Sequence, residues 1–250
     1  MFNKLGAKLV LHRAGMGNVK LPSLPASDST SKNGEAGSGF EFSNPFANVQ
    51  WGKAFASWQA PDTEYPIAEP PTVGLRAASS PKLRFPTIDG RPCVILFLRF
   101  CGCPFTQKAF LRMRSLANRH TGIHFIAVSH CTPAATADWT KKLGGSWNVD
   151  VIIDERRELY AMYGLGISNW GHVLNPRNGY NQILLNKEEG KVWQPVGEGG
   201  CRWQIGGAYA IDERGTVKWG GPMKSADEDV VLEDGVRALG FSAPVAPGVF

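Results

Sequence analysis

The chain has 250 residues, 43% of them hydrophobic, with a formal net charge of +5. That is enough apolar material for one sizeable domain with extensions or two small ones, and no stretch approaches the eighteen apolar residues of a membrane span. Its positive charges are dispersed, and no basic cluster interleaved with aromatics marks a nucleic-acid surface.

Residues 1–39 read as a disordered tail. Lys4, Lys8, Arg13 and Lys20 precede the first acid, Asp28, and residues 21–39 offer almost nothing to bury. Three readings of this N-terminus stay open: a flexible basic tail on a cytoplasmic protein, or, with Phe2, Leu5 and Leu9 on one face, a mitochondrial transit segment or a weak membrane-surface helix. A secretory h-region is not seen, and Cys93, Cys101, Cys103, Cys131 and Cys201 are too few and too unevenly spaced for a disulfide scaffold. Reduced thiols in an intracellular compartment are therefore expected. Residues 40–80 bring back aromatics among many prolines, including Phe46, Trp51, Trp58 and Tyr65, and read as an extended arm packed on the next domain.

The principal domain is expected over residues 81–241, with a tail over 242–250. Leu83–Ile88 suggests a short strand and Asp89-Gly90-Arg91-Pro92 a turn. Val94–Leu98 is an apolar run of the kind buried on both faces of a sheet. Phe105, Ala109, Phe110, Met113, Leu116 and Ala117 then recur near a helical period, so a helix begins at Pro104, where a missing N–H costs nothing. Ile123–Val128 is a second buried strand. Thr132 and Pro133 open a helix that Gly144-Gly145 stops. Asn148–Ile153 is a third strand, after which Asp154 caps a short helix closed by Gly164.

From Leu165 to Gln204 the alternation breaks into a Gly-, Asn- and Trp-rich insertion, either a lid or binding loop or a packing insertion. Ala208–Ile211 and Thr216–Trp219 form a hairpin. Ser225-Ala226-Asp227-Glu228 reads as a capping box opening a last helix to Leu239. The fold class is α/β, a mixed central sheet flanked by helices on both faces.

Cys103 stands where the first long strand passes into its helix, near unpaired backbone N–H groups and the positive end of the helix dipole. That setting favours thiolate, the reactive form, and makes Cys103 the candidate nucleophile and the fastest thiol to alkylate. The competing reading is a small apolar core residue. If the strands ending at Leu98 and Ser129 are parallel neighbours, Cys101, Cys103, Cys131 and His130 share one sheet edge, where open α/β folds place their sites. His130 is then a proton acceptor for a thiol, or an ordinary strand-end histidine. Cys131, or with more strain Cys101, would resolve an oxidised Cys103. Three cysteines and a histidine also make a zinc set, but paired Cys-x2-4-Cys knuckles are missing, so no metal or other cofactor is expected. Arg99, Arg202, Trp203 and Trp170 are the substrate-facing candidates, although the reading preferred for Arg202 is a surface arginine stacked on Trp203. Lys108, Arg112, Arg114 and Arg119 read as a solvated helix face and Cys93 as structural.

The run Leu96-Phe97-Leu98-Arg99-Phe100-Cys101-Gly102-Cys103-Pro104-Phe105 resembles the AhpC/TSA-like (peroxiredoxin-like 2) family of the thioredoxin-fold superfamily, above all its fungal members. Phe125–His130, Arg157–Tyr160, His172–Pro176 and Trp219–Pro222 strengthen the likeness, which covers residues 81–241. It implies a thioredoxin-like fold with a long insertion before the C-terminal hairpin. It also implies a thiol oxidoreductase or antioxidant role, served by a thiol reductant of thioredoxin or glutathione type. Cys103 takes the reactive position of a Gly-Cys-x-x-Cys pattern whose second cysteine is here Thr106. The Pro-x-x-x-Thr-x-x-Cys signature of true peroxiredoxins is missing: Phe100 stands three residues before Cys103 and Leu96 seven before. Inefficient peroxide reduction is therefore expected. A second reading keeps the fold and drops the redox chemistry, giving a small-molecule-binding protein or biosynthetic enzyme with fungal secondary metabolism as the analogy.

Overall fold

The structure, a computed structural model, describes residues 64–168, 181 and 194–242. The tail over 1–39, the arm as far as residue 63, Trp170 and most of the insertion lie outside the described residues.

Alternation along the first strand sets the layers. In β1 (Cys93–Phe97) every residue is buried, as a strand covered on both faces requires. Val94 and Leu96, with Leu98 just beyond, join one apolar cluster; Cys93, Ile95 and Phe97 join the other. β2 (His124–Ser129) and β3 (Val149–Ile153) extend the sheet in parallel on one side. The hairpin β4 (Gly207–Ile211) and β5 (Val217–Pro222) extends it antiparallel on the other, giving the order β3-β2-β1-β4-β5. The first face is covered by α1 (Pro104–Arg119), α2 (Pro133–Lys142) and α4 (Leu232–Ala238), through Phe110, Met113, Leu116, Trp139, Leu232 and Val236. The second receives α3 (Glu158–Met162), with Leu159, Tyr160 and Tyr163 against Phe97 and Tyr209. This is the mixed α/β sheet that the element order predicts.

Local chemistry explains the boundaries. Pro104 opens α1 as its first residue, and Thr132 Oγ1 accepts the Ala135 N–H at 3.3 Å to open α2. The Asp154 carboxylate accepts the N–H groups of Leu159 (2.8 Å) and Tyr160 (3.3 Å) at the start of α3. Lys82 Nζ, 3.0 Å away, pairs with the same carboxylate.

Three expectations give way. Leu83–Ile88 is not a strand: only a bridge between Ser80 and Leu83 forms, and Pro86 brings no donor to a ladder. The box at Ser225 opens no helix, because Asp229 is drawn to Lys108 (3.2 Å) and Arg112 (3.0 Å) on α1. Arg112 also holds the Val230 carbonyl at 3.1 Å, and the Glu228 carboxylate turns back to the Lys224 N–H, so α4 starts only at Leu232. The same contacts correct the reading of Lys108 and Arg112 as solvated, since they join α1 to the approach to α4. Arg114 likewise bonds the carbonyls of Leu143 and Gly145.

Candidate functional site

Parallel pairing of β1 and β2 puts Phe97 beside Val128, so both strands deliver their following residues to one edge of the sheet. Cys103 is the residue immediately before α1, with extended backbone (φ −76°, ψ 124°), and is completely buried. Its Sγ lies 3.5 Å from Arg99 Nη1, which donates to it. Arg99, only 2% exposed, is fixed by the carbonyls of Arg202 (2.9 Å from Nη2) and Ala226 (3.4 Å from Nη1). Among the described residues no carboxylate pairs with Arg99, so its charge faces the sulfur in a poorly screened interior.

The Arg99 and Arg202 guanidinium carbons stand 5.4 and 5.7 Å from the centre of the Phe100 ring. Burial lowers the Arg202 pKa to about 10, the charge of Arg99 adding to the effect and Cys103 opposing it. Arg202 is thus a buried partner of Phe100 and Cys103, which corrects its reading as a surface residue. Trp203 turns the other way, into a small cluster with Cys201 and Ile167.

Gly102 (φ +107°) turns the chain between the two neighbouring cysteines, a conformation natural to glycine. Cys101 enters different surroundings from Cys103. Its backbone N–H points at Cys131 Sγ at 3.5 Å, and its own sulfur lies 3.7 Å from Ser129 Oγ and 3.9 Å from Thr136 Oγ1. The two hydroxyls are themselves 2.8 Å apart. A hydrogen bond from Cys131 lowers the Cys101 pKa, Ser129 and Thr136 assisting against the cost of burial. The same bond, together with burial, pushes the Cys131 thiol up. Cys131 therefore partners Cys101, not Cys103 as the sequence suggests.

A strap over residues 194–200 covers this edge. Gln194 N–H donates to the Gly102 carbonyl (3.2 Å), Gly197 N–H to the Cys101 carbonyl (3.0 Å), and Thr132 N–H to the Glu198 carbonyl (2.9 Å). Arg157 Nη2 holds the Gly199 carbonyl at 3.2 Å. The fit leaves no room at Gly102, where a Cβ would stand 2.5 Å from the Pro195 carbonyl oxygen, nor at Gly200, where it would stand 2.9 Å from Cys131 Sγ. A cleft of about 250 Å³ remains beside the strap, with Cys101, Gly102, Trp139, Pro195 and Gly197 among its walls.

His130 is buried, and its Nε2 accepts the Cys201 N–H at 3.0 Å. Burial, then the charges of Arg157 and Arg99, lowers its pKa to about 3, the Leu98 carbonyl opposing them. With its lone pair engaged and its basicity suppressed, it is a neutral positioning residue, which replaces its expected role as proton acceptor. Thr106 lies buried in the first turn of α1, on the first apolar cluster's side. Cys93 sits at the far end of β1, away from the site, its thiol pushed up by burial. Among the described residues no three His, Cys, Asp or Glu side chains converge on a metal position.

Residues 111–225 match the AhpC/TSA antioxidant enzyme family. Over that stretch, a little under half of its length, the chain is similar to AhpC/TSA-like proteins. A peroxiredoxin-like protein from Aquifex aeolicus is 17% identical, with 69% of this chain and 88% of that one covered at a TM-score of 0.47. The thiol peroxidase from Chromobacterium violaceum is 14% identical, with 70% and 88% covered at 0.46. A mutant of peroxiredoxin 6 of Arenicola marina is 16% identical at 0.42, and the chain spans 60% of that protein's length. A search of curated proteins gives no match.

The AhpC/TSA match begins at Leu111, beyond Cys101 and Cys103, so it does not extend to the turn that carries these two thiols. Several participants have only faint sequence signals. Ser129 ends β2 as a polar residue in an apolar run, Thr136 lies one turn into α2, and the strap is announced only by Gly197, Gly199 and Gly200.

Proposed function

We propose that this protein is a thiol-dependent oxidoreductase whose reactive group is Cys103, acting on hydroperoxides and restored by a small or protein thiol of thioredoxin or glutathione type. The observation that carries the reading is the 3.5 Å approach of Arg99 Nη1 to Cys103 Sγ at the start of α1. A buried guanidinium and a helix N-terminus both favour negative charge on that sulfur. The thiolate attacks one peroxide oxygen, the O–O bond breaks, and an alcohol or water leaves with Cys103 as sulfenic acid. Two reductant thiols then give water, their own disulfide and the free Cys103. Arg202 and Phe100 complete the walls, Arg202 lending a second cation to the leaving oxyanion.

Since Cys103 is enclosed, the strap over residues 194–200 must yield to admit substrate. Steady-state peroxide consumption with a thiol reductant tests the assignment. Cys103→Ser should reduce turnover to the background rate and Arg99→Met should lower it strongly, with dimedone trapping Cys103 as sulfenic acid in the parent protein. Undiminished turnover in Cys103→Ser would overturn the reading. Failure of both proteins to consume peroxide, with tight binding of an apolar ligand, would favour the non-redox small-molecule reading.

A further inference from the structure

We propose that Cys101 and Cys131 form a second redox site, a dithiol that a small hydroperoxide converts to an intramolecular disulfide beneath the strap, separately from Cys103. The inference starts from the way the chain parts its thiols. Cys103 faces Arg99, whereas Cys101 and Cys131 face each other across the ends of β1 and β2. The Cys101 backbone N–H donates to Cys131 Sγ at 3.5 Å. Both residues also pack on one glycine of the strap, where a Cβ at Gly197 would stand 3.2 Å from Cys101 Cβ and 3.5 Å from Cys131 Sγ, which places the two side chains side by side for a bond of about 2 Å between their sulfurs.

The surroundings assign the roles. Ser129 Oγ, 3.7 Å from Cys101 Sγ, offers a hydroxyl to negative charge on that sulfur, while Thr136 Oγ1 accepts from the Cys101 thiol at 3.9 Å, which suits Cys101 to attack. Cys131 supplies the neighbouring S–H. Attack by the Cys101 thiolate on a peroxide R–O–O–H breaks the O–O bond, giving Cys101 sulfenic acid and an alkoxide that takes a proton as ROH. Cys131 sulfur then displaces the sulfenic hydroxyl, which leaves with the Cys131 proton as water. The sum is two thiols and ROOH giving one disulfide, ROH and water.

Access sets the oxidant class. Cys101 borders the cleft of about 250 Å³, while Gly197 and Gly200 of the strap lie directly on the pair. A small hydroperoxide fits there; a protein disulfide or a bulky reductant does not. While the strap is in place, a bulky reductant does not reach the bridge once it has formed.

The test uses the full chain and its Cys103→Ser variant, treated with stoichiometric hydrogen peroxide, quenched with N-ethylmaleimide in denaturant and mapped without reduction. A Cys101–Cys131 linked peptide is expected in both proteins, with the loss of two titratable thiols from Cys103→Ser. Cys131→Ser should leave a dimedone-reactive sulfenic acid on Cys101. A Cys103–Cys131 link in the parent protein, or no link in either protein, overturns the inference. Bridge formation without any Cys103-dependent turnover would instead sink the proposed function and leave this site standing.

Discussion

The Tyr160 hydroxyl donates to the Leu98 carbonyl at 2.6 Å and has the Val128 carbonyl at 2.8 Å, so one side chain from α3 ties together the ends of β1 and β2. Both carbonyls lie on the peptides that lead into the cysteine-bearing turns. Tyr160→Phe leaves the Leu98 carbonyl buried without that donor, at a cost of about 1–3 kcal/mol. Thermal unfolding should show it as a fall of about 2–4 °C per kcal/mol for a domain of this size. An unchanged midpoint would show that the hydroxyl does not hold the strand ends.

All five cysteines are buried, so thiol labelling of the native, reduced protein should be slow at each of them, despite the helix-start position of Cys103. Gly102→Ala is expected to speed it at Cys101. A Cβ there meets the Pro195 carbonyl oxygen at 2.5 Å, and the positive φ adds strain of more than about 1 kcal/mol, so the strap must shift. Mass-spectrometric mapping after limited iodoacetamide treatment reads the site. Equal labelling of Cys101 with and without the alanine would deny the strap its shielding role.

His130 makes stability depend on pH with a definite sign. Its ordinary pKa of 6.5 falls to about 3 in the folded protein, first through burial and then through Arg157 and Arg99. Between those values the unfolded chain binds the additional proton, so stability rises with pH across that window. The contribution is complete above pH 6.5 and is lost on acidification toward 3, at up to about 1.4 kcal/mol per pH unit. His130→Gln keeps an acceptor for the Cys201 N–H and should flatten the slope. Denaturant titrations at several pH values decide it, parallel slopes in the two proteins counting against His130.

Phe100 bears on peroxide kinetics. Its ring is flanked by the Arg99 and Arg202 guanidinium groups and carries no donor for an O–O group. Loss of one such donor costs about a hundredfold or more. Stopped-flow oxidation by hydrogen peroxide should therefore run far below the diffusional ceiling of about 10⁸ M⁻¹s⁻¹. A rate near that ceiling would mean that the arginines alone supply the missing interaction.

The layers were legible in the sequence because burial writes a period into it: Val94, Leu96 and Leu98 against Ile95 and Phe97, and the helical recurrence from Phe105 to Ala117. Adjacency of the Cys101–Cys103 and His130–Cys131 turns depended on the first two long strands being parallel neighbours, a condition that β1 and β2 meet. Which thiol meets which did not. Beyond Leu98 the strand alternation ends, and the turn at Gly102 sends Cys101 and Cys103 to different neighbours, a local angle that no periodicity encodes. The strap is likewise held by backbone bonds from Gln194 and Gly197, which leave no side-chain pattern. At Ser225 the local capping signal was sound, but ion pairs from Asp229 to α1 outweighed it.

The outer edge of β5 is not bare. Gly74 N–H donates to the Val217 carbonyl and Val217 N–H to the Leu75 carbonyl, both at 2.9 Å, and Ala77 N–H reaches the Gly215 carbonyl at 2.9 Å. Residues 74–77, which precede the expected start of the domain at Pro81, thus occupy hydrogen-bonding positions that a strand from another molecule would otherwise seek. A protein shortened to begin at Pro81 would offer that ladder to its own copies. It should aggregate through β5 even where its core is intact, and the working boundary of the folded unit lies upstream of Gly74.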